Sequence, residues 1–216
     1  MSCVIVAGGE VDRELLARVL AEADTVIAAD RGLEALQQMG VCPDYIIGDF
    51  DSASEATRAR LAEYEKQPSV QVIRLQPEKD DTDSEAALQL AFAHSTGDIL
   101  LLGGTGRRID HLLANISILG QGLAHGRQVI LQDSWNRIRM IASGCTIRRA
   151  EQYGTYISLF PYSERVEGLT LEGFKYPLQN ATLEGFNSLG VSNELIADEG
   201  VITFTRGTLI VVESID

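Results

Sequence analysis

Acidic side chains follow four short apolar runs in the first half of the chain. In order, the runs and the acids behind them are TVIAA (25–29) with Asp30, YIIG (45–48) with Asp49 and Asp51, VQVIRL (70–75) with Asp80 and Asp83, and ILLLGG (99–104) with Asp110. Carboxylate oxygens are ligands that Mg²⁺ prefers, and a bound cation offsets the repulsion between crowded acids. The acids that follow these four runs together predict a magnesium centre that binds phosphate groups.

Asp49, Asp51 and Asp83 are the predicted metal ligands. Side chains two residues apart in an extended segment point to the same side, so Asp49 and Asp51 can share one ion. Asp83 opens the next segment with helical periodicity and is the third predicted ligand, with Asp80 as an alternative. A single Asp after a strand is more often a turn or capping residue, so the prediction depends on the four run ends taken together.

The glycine-rich stretch 103–108 predicts a phosphate-binding loop. It lies between an apolar run and a segment with helical periodicity, where backbone N–H groups commonly bind phosphate oxygens. Gly104 and Gly106 belong to this loop, and Arg108 adds a guanidinium that can pair with phosphate. The stretch is neither a Walker A loop nor a G-x-G-x-x-G fingerprint, and its glycines alone are also compatible with a tight turn.

The elements that position these residues follow from periodicity. Up to residue 132, apolar runs typical of strands buried on both faces alternate with helical segments, the last of which is predicted to span 109–126. Thr82 and Glu85 form a capping box at one helix start. This alternation predicts a parallel sheet between two layers of helices, with ligands bound at the carboxyl ends of the strands.

Helical periodicity ends after about residue 133. Short segments such as GTYISLFPY and TLIVVES, separated by Gly, Pro and Asn turns, predict antiparallel strands. We therefore expect an α/β domain over residues 1–132 and a smaller antiparallel all-β sandwich domain over residues 133–216. Trp135, at the junction, is expected to lie in the core.

Composition argues against several classes of protein. The chain of 216 residues has a formal net charge of −13, which disfavours binding to a nucleic-acid backbone. Its apolar runs are too short to span a membrane. Cys3, Cys42 and Cys145 show no metal-binding spacing and are expected to be reduced and buried, as in a cytoplasmic protein.

Several motifs, taken in order, resemble the thiamine pyrophosphokinase family. They are Asp30-Arg31-Gly32, GDFDS (48–52), KDDTD (79–83), GGTGRRIDH (103–111) with Ala114-Asn115, and VSNE (191–194). The resemblance runs through the predicted α/β domain and into the β domain. The GDFDS and K-D-x-T-D elements are its most specific parts.

The resemblance implies transfer of a pyrophosphoryl group from ATP to the hydroxyl of thiamine, giving thiamine diphosphate and AMP, with Mg²⁺ as cofactor. It also implies a homodimer whose active site lies at the subunit interface. The catalytic centre is expected to contain Asp49, Asp51, Asp80 and Asp83, of which Asp49, Asp51 and Asp83 hold the metal. The residues expected around ATP are Asp30, Lys79, Thr82, Gly104, Gly106, Arg108 and Asp110, and those expected near thiamine are Ser192 and Asn193.

Two features depart from the family pattern. Arg107 precedes Arg108, where the family loop often has glycine before its arginine, and the final strand, TLIVV (208–212), lacks an aromatic residue to stack on thiamine.

Two other functions fit the same acids. One is a metal-dependent phosphohydrolase that activates water, and the other is a non-catalytic nucleotide-binding module whose β domain binds a partner.

Overall fold

The structure is a computed structural model that describes residues 2–50, 55–76, 78 and 80–216. Its packing divides the chain into two compact units, residues 1–118 with 129–134 and residues 119–128 with 135–216. The two units differ in class, since the first alternates strands and helices and the second is made almost entirely of strands. No helix in the described part of the chain is both long enough and apolar enough to cross a membrane.

The first unit is built on parallel strands. They are β1 (Cys3–Val6), β2 (Thr25–Ala29), β3 (Tyr45–Gly48), β4 (Gln71–Arg74), β5 (Ile99–Leu102) and β6 (Val129–Gln132). Their order within the unit is β4-β3-β2-β1-β5-β6, and each neighbouring pair is parallel. Every strand lies inside a predicted apolar run. The prediction of burial on both faces is wrong for β4, because an edge strand is covered on fewer sides and only its two central residues are half-buried.

Helices connect these strands. They are α1 (Arg13–Leu20), α2 (Gly32–Gln38), α3 (Glu55–Tyr64), α4 (Asp83–His94) and α5 (Ile109–Ile118), with the short α6 (Gln121–Ala124) grouped in the second unit. The predicted cap of α4 is confirmed, because the hydroxyl of Thr82 accepts a hydrogen bond of 3.2 Å from the backbone N–H of Glu85. The prediction of one helix over 109–126 is wrong, because the chain turns at Leu119-Gly120 and glycine disfavours a helix interior.

The second unit contains two antiparallel sheets. Its strands are β7 (Asn136–Ile141), β8 (Cys145–Arg148), β9 (Tyr156–Pro161), β10 (Arg165–Glu172), β11 (Leu178–Glu184), β12 (Glu199–Thr203) and β13 (Leu209–Ser214). They are arranged in the orders β7-β13-β9 and β11-β10-β12-β8. A core formed by residues of both sheets, such as Leu159 and Val211 from one and Leu171 and Ile202 from the other, makes this unit a β-sandwich. The predicted fold class is therefore confirmed.

Two smaller expectations about burial are wrong. Trp135 is 58% exposed, because it precedes the first strand of the sandwich and does not point into the apolar space between the sheets. Cys42 is exposed in a connecting segment, whereas Cys3 is buried in β1 and Cys145 is half-buried; none of these three described cysteines forms a disulfide.

Glu213 on β13 is the centre of a buried charged network in the sandwich. Arg137 donates to both carboxylate oxygens, with Nε–Oε1 at 3.0 Å and Nη2–Oε2 at 2.8 Å. The backbone N–H of Tyr153 donates to Oε2 at 3.0 Å, and Nη1 of Arg139 lies 3.4 Å from Oε1. Because the Glu213 side chain is only 1% exposed, these partners, and not water, stabilise its carboxylate.

Replacing Glu213 with glutamine is expected to destabilise the protein by about 3 kcal/mol, because the half-buried guanidinium of Arg137 then loses its counter-charge. Chemical denaturation followed by fluorescence measures this change. Glu167→Gln is the matched control: its 3.8 Å pair with Arg165 is solvent-exposed, and its loss is expected to cost less than about 1 kcal/mol. Equal stability of the two variants would contradict a structural role for the buried charge.

Candidate active site

A cleft of about 780 Å³ opens at the carboxyl ends of the parallel strands. The strand order reverses direction between β1 and β5, and a crevice at such a point is where open α/β sheets bind ligands. The residues lining the cleft come from the end of β2, from the loops after β1, β2, β3 and β5, from the start of α4 with the two residues before it, and from α5. They are Ala7, Gly8, Gly9, Glu10, Ala29, Asp30, Arg31, Asp49, Asp81, Thr82, Asp83, Ser84, Gly103, Gly104, Gly106, Arg107, Arg108, His111 and Asn115.

Two glycine loops, one after β1 and one after β5, meet at the floor of this cleft. The backbone N–H of Gly9 donates a 3.0 Å hydrogen bond to the carbonyl of Gly103. A Cβ atom on Gly9 would lie 2.3 Å from that oxygen, and one on Gly103, whose φ is +71°, would lie 2.5 Å from the carbonyl of Ala7. Both positions therefore need glycine, because any side chain would push the two backbones apart.

Asn115 fixes the position of the second glycine loop. It is a buried residue of α5, and its side-chain amide donates a 2.9 Å hydrogen bond to the carbonyl of Gly104. A Cβ atom on Gly104 would approach this amide to 3.0 Å and a methyl of Leu131 to 2.6 Å. The loop is thus anchored to α5 at the edge of the cleft.

Three carboxylates form a cluster beside the glycine loops. Asp30, Asp49 and Asp83 each offer an oxygen, and these oxygens lie within 4.8 Å of one another. All three residues are half-buried. Carboxylates this close repel each other strongly unless a cation or a shared proton lies between them.

The parallel topology brings these three acids together. Asp30 follows β2 and Asp49 follows the adjacent strand β3, so both lie at one edge of the sheet. Asp83 is the first residue of α4, which follows β4 and packs back across β1, β2 and β3. The start of α4 therefore lies over the strand that carries Asp30.

Two glycines allow Asp30 its position. Asp30 has a φ of +47°, and its backbone N–H donates to the carbonyl of Ile47 at 2.8 Å. A Cβ atom on Gly48 would lie 3.1 Å from the Cα of Asp30, and one on Gly32 would lie 1.8 Å from the carbonyl of Val6. The motif Asp30-Arg31-Gly32 thus packs α2 directly against the end of β1 and turns the Asp30 carboxylate into the cleft.

The donor set fits a hard divalent cation. Three carboxylate oxygens at this spacing match the all-oxygen coordination that Mg²⁺ requires, and water or phosphate oxygens would complete it. Of the predicted metal ligands, Asp49 and Asp83 belong to the cluster, whereas Asp51 lies outside the described residues, as does Lys79. Asp30, which sequence reasoning placed near ATP, takes part in the cluster itself.

Arg108 and Asp110 form an ion pair at the rim. Nη2 of Arg108 lies 2.6 Å from Oδ2 of Asp110, and its Nε donates to Oδ1 at 3.2 Å. The hydrogen bond from Arg108 is the main cause that lowers the pKa of Asp110 from 3.8 to about 2, and the backbone N–H of His111 adds to it. Arg108 lines the cleft, but Asp110 and Asp80, both exposed, are not among the described residues that line it.

The residues expected near thiamine lie in the second unit. Asn193 is buried, and its side-chain amide donates to the carbonyl of Tyr176 at 2.8 Å and accepts from the N–H groups of Tyr176 and Glu194 at 2.9 Å. Ser192 is exposed with a φ of +56°. Asn193 therefore organises its own turn, while Ser192 is exposed at the surface.

Sequence reasoning missed the loop Gly8-Gly9-Glu10, which lines the cleft after β1. The signal was available, because this loop follows the apolar run 3–7 as the other cleft loops follow theirs. Recognising β1 as the central strand would have identified it.

Replacing Arg108 with glutamine is expected to raise the pKa of Asp110 from about 2 back towards 3.8. Because the pKa of Asp110 is lowered in the native protein, its carboxyl is ionised and paired with Arg108 above pH 4. The ion pair is lost as the pH falls through the folded-state pKa of Asp110. Titration of the Asp110 carboxyl by carbon-detected NMR measures both values. A pKa that stays near 2 in the variant would mean that Arg108 is not its cause.

Family models match both parts of the chain. One described as "Thiamin pyrophosphokinase, catalytic domain" matches residues 16–131, and one described as "Thiamin pyrophosphokinase, vitamin B1 binding domain" matches residues 144–209. Thiamine pyrophosphokinase from Bacillus subtilis (strain 168) is 38% identical to this chain over 190 residues, which cover 88% of this chain and 87% of the relative.

Solved structures agree along the whole chain. The crystal structure of thiamine pyrophosphokinase from Bacillus subtilis matches with a TM-score of 0.86 at 34% identity and covers 100% of both chains. That of thiamin pyrophosphokinase from Geobacillus thermodenitrificans matches with a TM-score of 0.87 at 32% identity, covering 100% of this chain and 98% of the other. The resemblance seen in the motifs thus extends to most of the sequence and to the whole fold, and the chain belongs to the thiamin pyrophosphokinase family.

Proposed function

We propose that this chain is a Mg²⁺-dependent thiamine pyrophosphokinase, which transfers the pyrophosphoryl group of ATP to the hydroxyl of thiamine and releases AMP. The observation that carries the proposal is the cluster of Asp30, Asp49 and Asp83 beside two glycine loops at the sheet crevice, in a chain of this family. A cluster of carboxylates beside two glycine loops at a sheet crevice is an arrangement suited to a triphosphate with a bound cation.

Asp30, Asp49 and Asp83 are the residues that would hold the metal, with Asp51 as a further ligand predicted from the sequence. A bound Mg²⁺ would supply the positive charge that lets a polyanionic nucleotide approach three carboxylates and that stabilises charge on the reacting phosphates. Without such a cation the cluster would repel ATP. The acids therefore select a metal complex of the nucleotide instead of the free nucleotide.

The glycine loops would bind and orient the triphosphate. The loop at Gly104–Gly106 is anchored by Asn115 and precedes α5, so its N–H groups can donate to phosphate oxygens without first becoming ordered. In the transfer, the hydroxyl oxygen of thiamine forms a bond to the β-phosphorus, the bond from that phosphorus to the oxygen bridging it to the α-phosphate breaks, and AMP leaves with the bridging oxygen. The hydroxyl proton is released in the same reaction.

Thiamine carries a permanent positive charge on its thiazolium ring, which suits an acidic protein. We propose that the turn containing Ser192 and Asn193 contributes to the thiamine site, with Asn193 shaping the turn and Ser192 presenting its hydroxyl. The site is proposed to form in a homodimer, where the second unit of one chain serves the acidic cluster of the other.

The reaction itself can be tested by incubating the protein with ATP, Mg²⁺ and thiamine and identifying the nucleotide product. Production of AMP that depends on thiamine is expected, because only pyrophosphoryl transfer releases AMP together with thiamine diphosphate. ADP would indicate ordinary phosphoryl transfer, and phosphate release without thiamine would indicate a hydrolase. Binding of ATP without any turnover would indicate a non-catalytic nucleotide-binding module.

Asp49→Asn is expected to lower kcat by about 100-fold or more while leaving the fold unchanged, because one metal-binding carboxylate is lost. Steady-state rates over a range of Mg²⁺ concentrations, with circular dichroism to check folding, measure the effect. Asp198→Asn, at an exposed position of the sandwich, is the control and should keep wild-type rates. Wild-type kinetics in Asp49→Asn would remove this residue from the metal site.

A shared site can be tested by mixing two defective chains. Asp49→Asn disables the acidic cluster, and Ser192→Lys places a positive charge where cationic thiamine is proposed to bind. If each site uses both chains, mixed dimers regain one intact site, and about a quarter of the wild-type activity is expected to return. No recovery, or a monomer by light scattering at the assay concentration, would contradict the dimeric site; mixing Asp49→Asn with the double variant is the negative control.

A further inference from the structure

Three arginines line the cleft in the described part of the chain, and they differ in how their charge is used. The Nε atom of Arg31 lies 3.9 Å from a carboxylate oxygen of Glu34, three residues along the chain. Arg108 pairs with Asp110 through two contacts, the shorter at 2.6 Å. For Arg107, no carboxylate of the described residues lies within ion-pair distance.

This difference matters for binding an anion. A guanidinium that already donates to a carboxylate has part of its charge offset and two of its N–H groups occupied, and a phosphate must compete for them. Arg108 is in this state, and its hydrogen bond with Asp110 also raises its own pKa. Arg107 keeps its full charge and all its donors for a ligand.

The backbone around Arg107 holds it beside the proposed phosphate loop. Arg107 follows Gly106 directly and precedes the first turn of α5, and its side chain lines the cleft and is exposed. The loop is anchored through Gly104 by Asn115 and through Gly103 by Gly9. A long, solvated side chain on an anchored backbone can reach a phosphate group without disturbing the fold.

We propose that Arg107 binds the phosphate groups of the nucleotide and determines the affinity for ATP, and that the Arg108–Asp110 pair acts as a positioning element at the start of α5. This assignment rests on the proposed nucleotide site, and it departs from the sequence-based expectation that Arg108 pairs with phosphate.

The test compares Arg107→Gln with the wild type. The KM for ATP and the equilibrium Kd for Mg²⁺-ATP are expected to rise about tenfold, the cost of one charge-assisted contact, while the KM for thiamine stays the same. Arg107→Lys should recover part of the affinity because it restores the charge. Raising the ionic strength should weaken ATP binding more in the wild type than in Arg107→Gln, since salt screens the lost interaction.

Arg60→Gln is the matched control, because Arg60 is an exposed arginine of α3 that does not line the cleft. An unchanged Kd for Mg²⁺-ATP in Arg107→Gln, a loss no larger than in Arg60→Gln, or an equal rise in the KM for thiamine would overturn the proposal. The binding measurement also separates this inference from the reaction: ATP binding that depends on Arg107 in a protein that makes no AMP would contradict the proposed activity but support the role of Arg107.

Discussion

Mutual repulsion among Asp30, Asp49 and Asp83 is the constraint around which the first unit is organised. Ionised carboxylates with oxygens within 4.8 Å of one another repel, so the surrounding structure must hold them there. Adjacent parallel strands supply two of them, and a helix returning across the sheet supplies the third. The hydrophobic core beneath, formed by strands such as β1 and β2 with buried residues on both faces, stabilises the arrangement.

Close backbone approach is the second requirement, and glycine meets it. The end of β1 lies against Gly32 at the start of α2, and the loop after β1 lies against Gly103 after β5. Each contact brings main-chain atoms nearer than any side chain would permit. The acids and the glycine loops can therefore line one cleft, in which the acids would hold a cation and the N–H groups of the loops would bind an anion.

Much of this arrangement follows from residue patterns. Continuous apolar runs identify the parallel strands because both faces are covered, and an acid directly after a run lies at the ligand-binding edge. The place of Asp30 beside Asp49 and Asp83 could not be predicted, because it depends on the order β3-β2-β1 and on a returning helix. The ion pair between Arg108 and Asp110 could not be predicted either, because it depends on the local geometry at the start of α5. The break between α5 and α6 occurs at Gly120, and hydrophobic periodicity alone does not predict that the helix ends at this glycine.

The hydrogen bond from Gly9 to Gly103 has a consequence for how a ligand enters. It joins loops separated by more than ninety residues in the sequence, so the two loops at the floor of the cleft are already held together before a ligand binds. A ligand therefore meets a surface whose shape already exists, and little conformational entropy is lost when it binds. Discrimination among ligands at these two loops then depends on the charge and shape of a surface that is already formed.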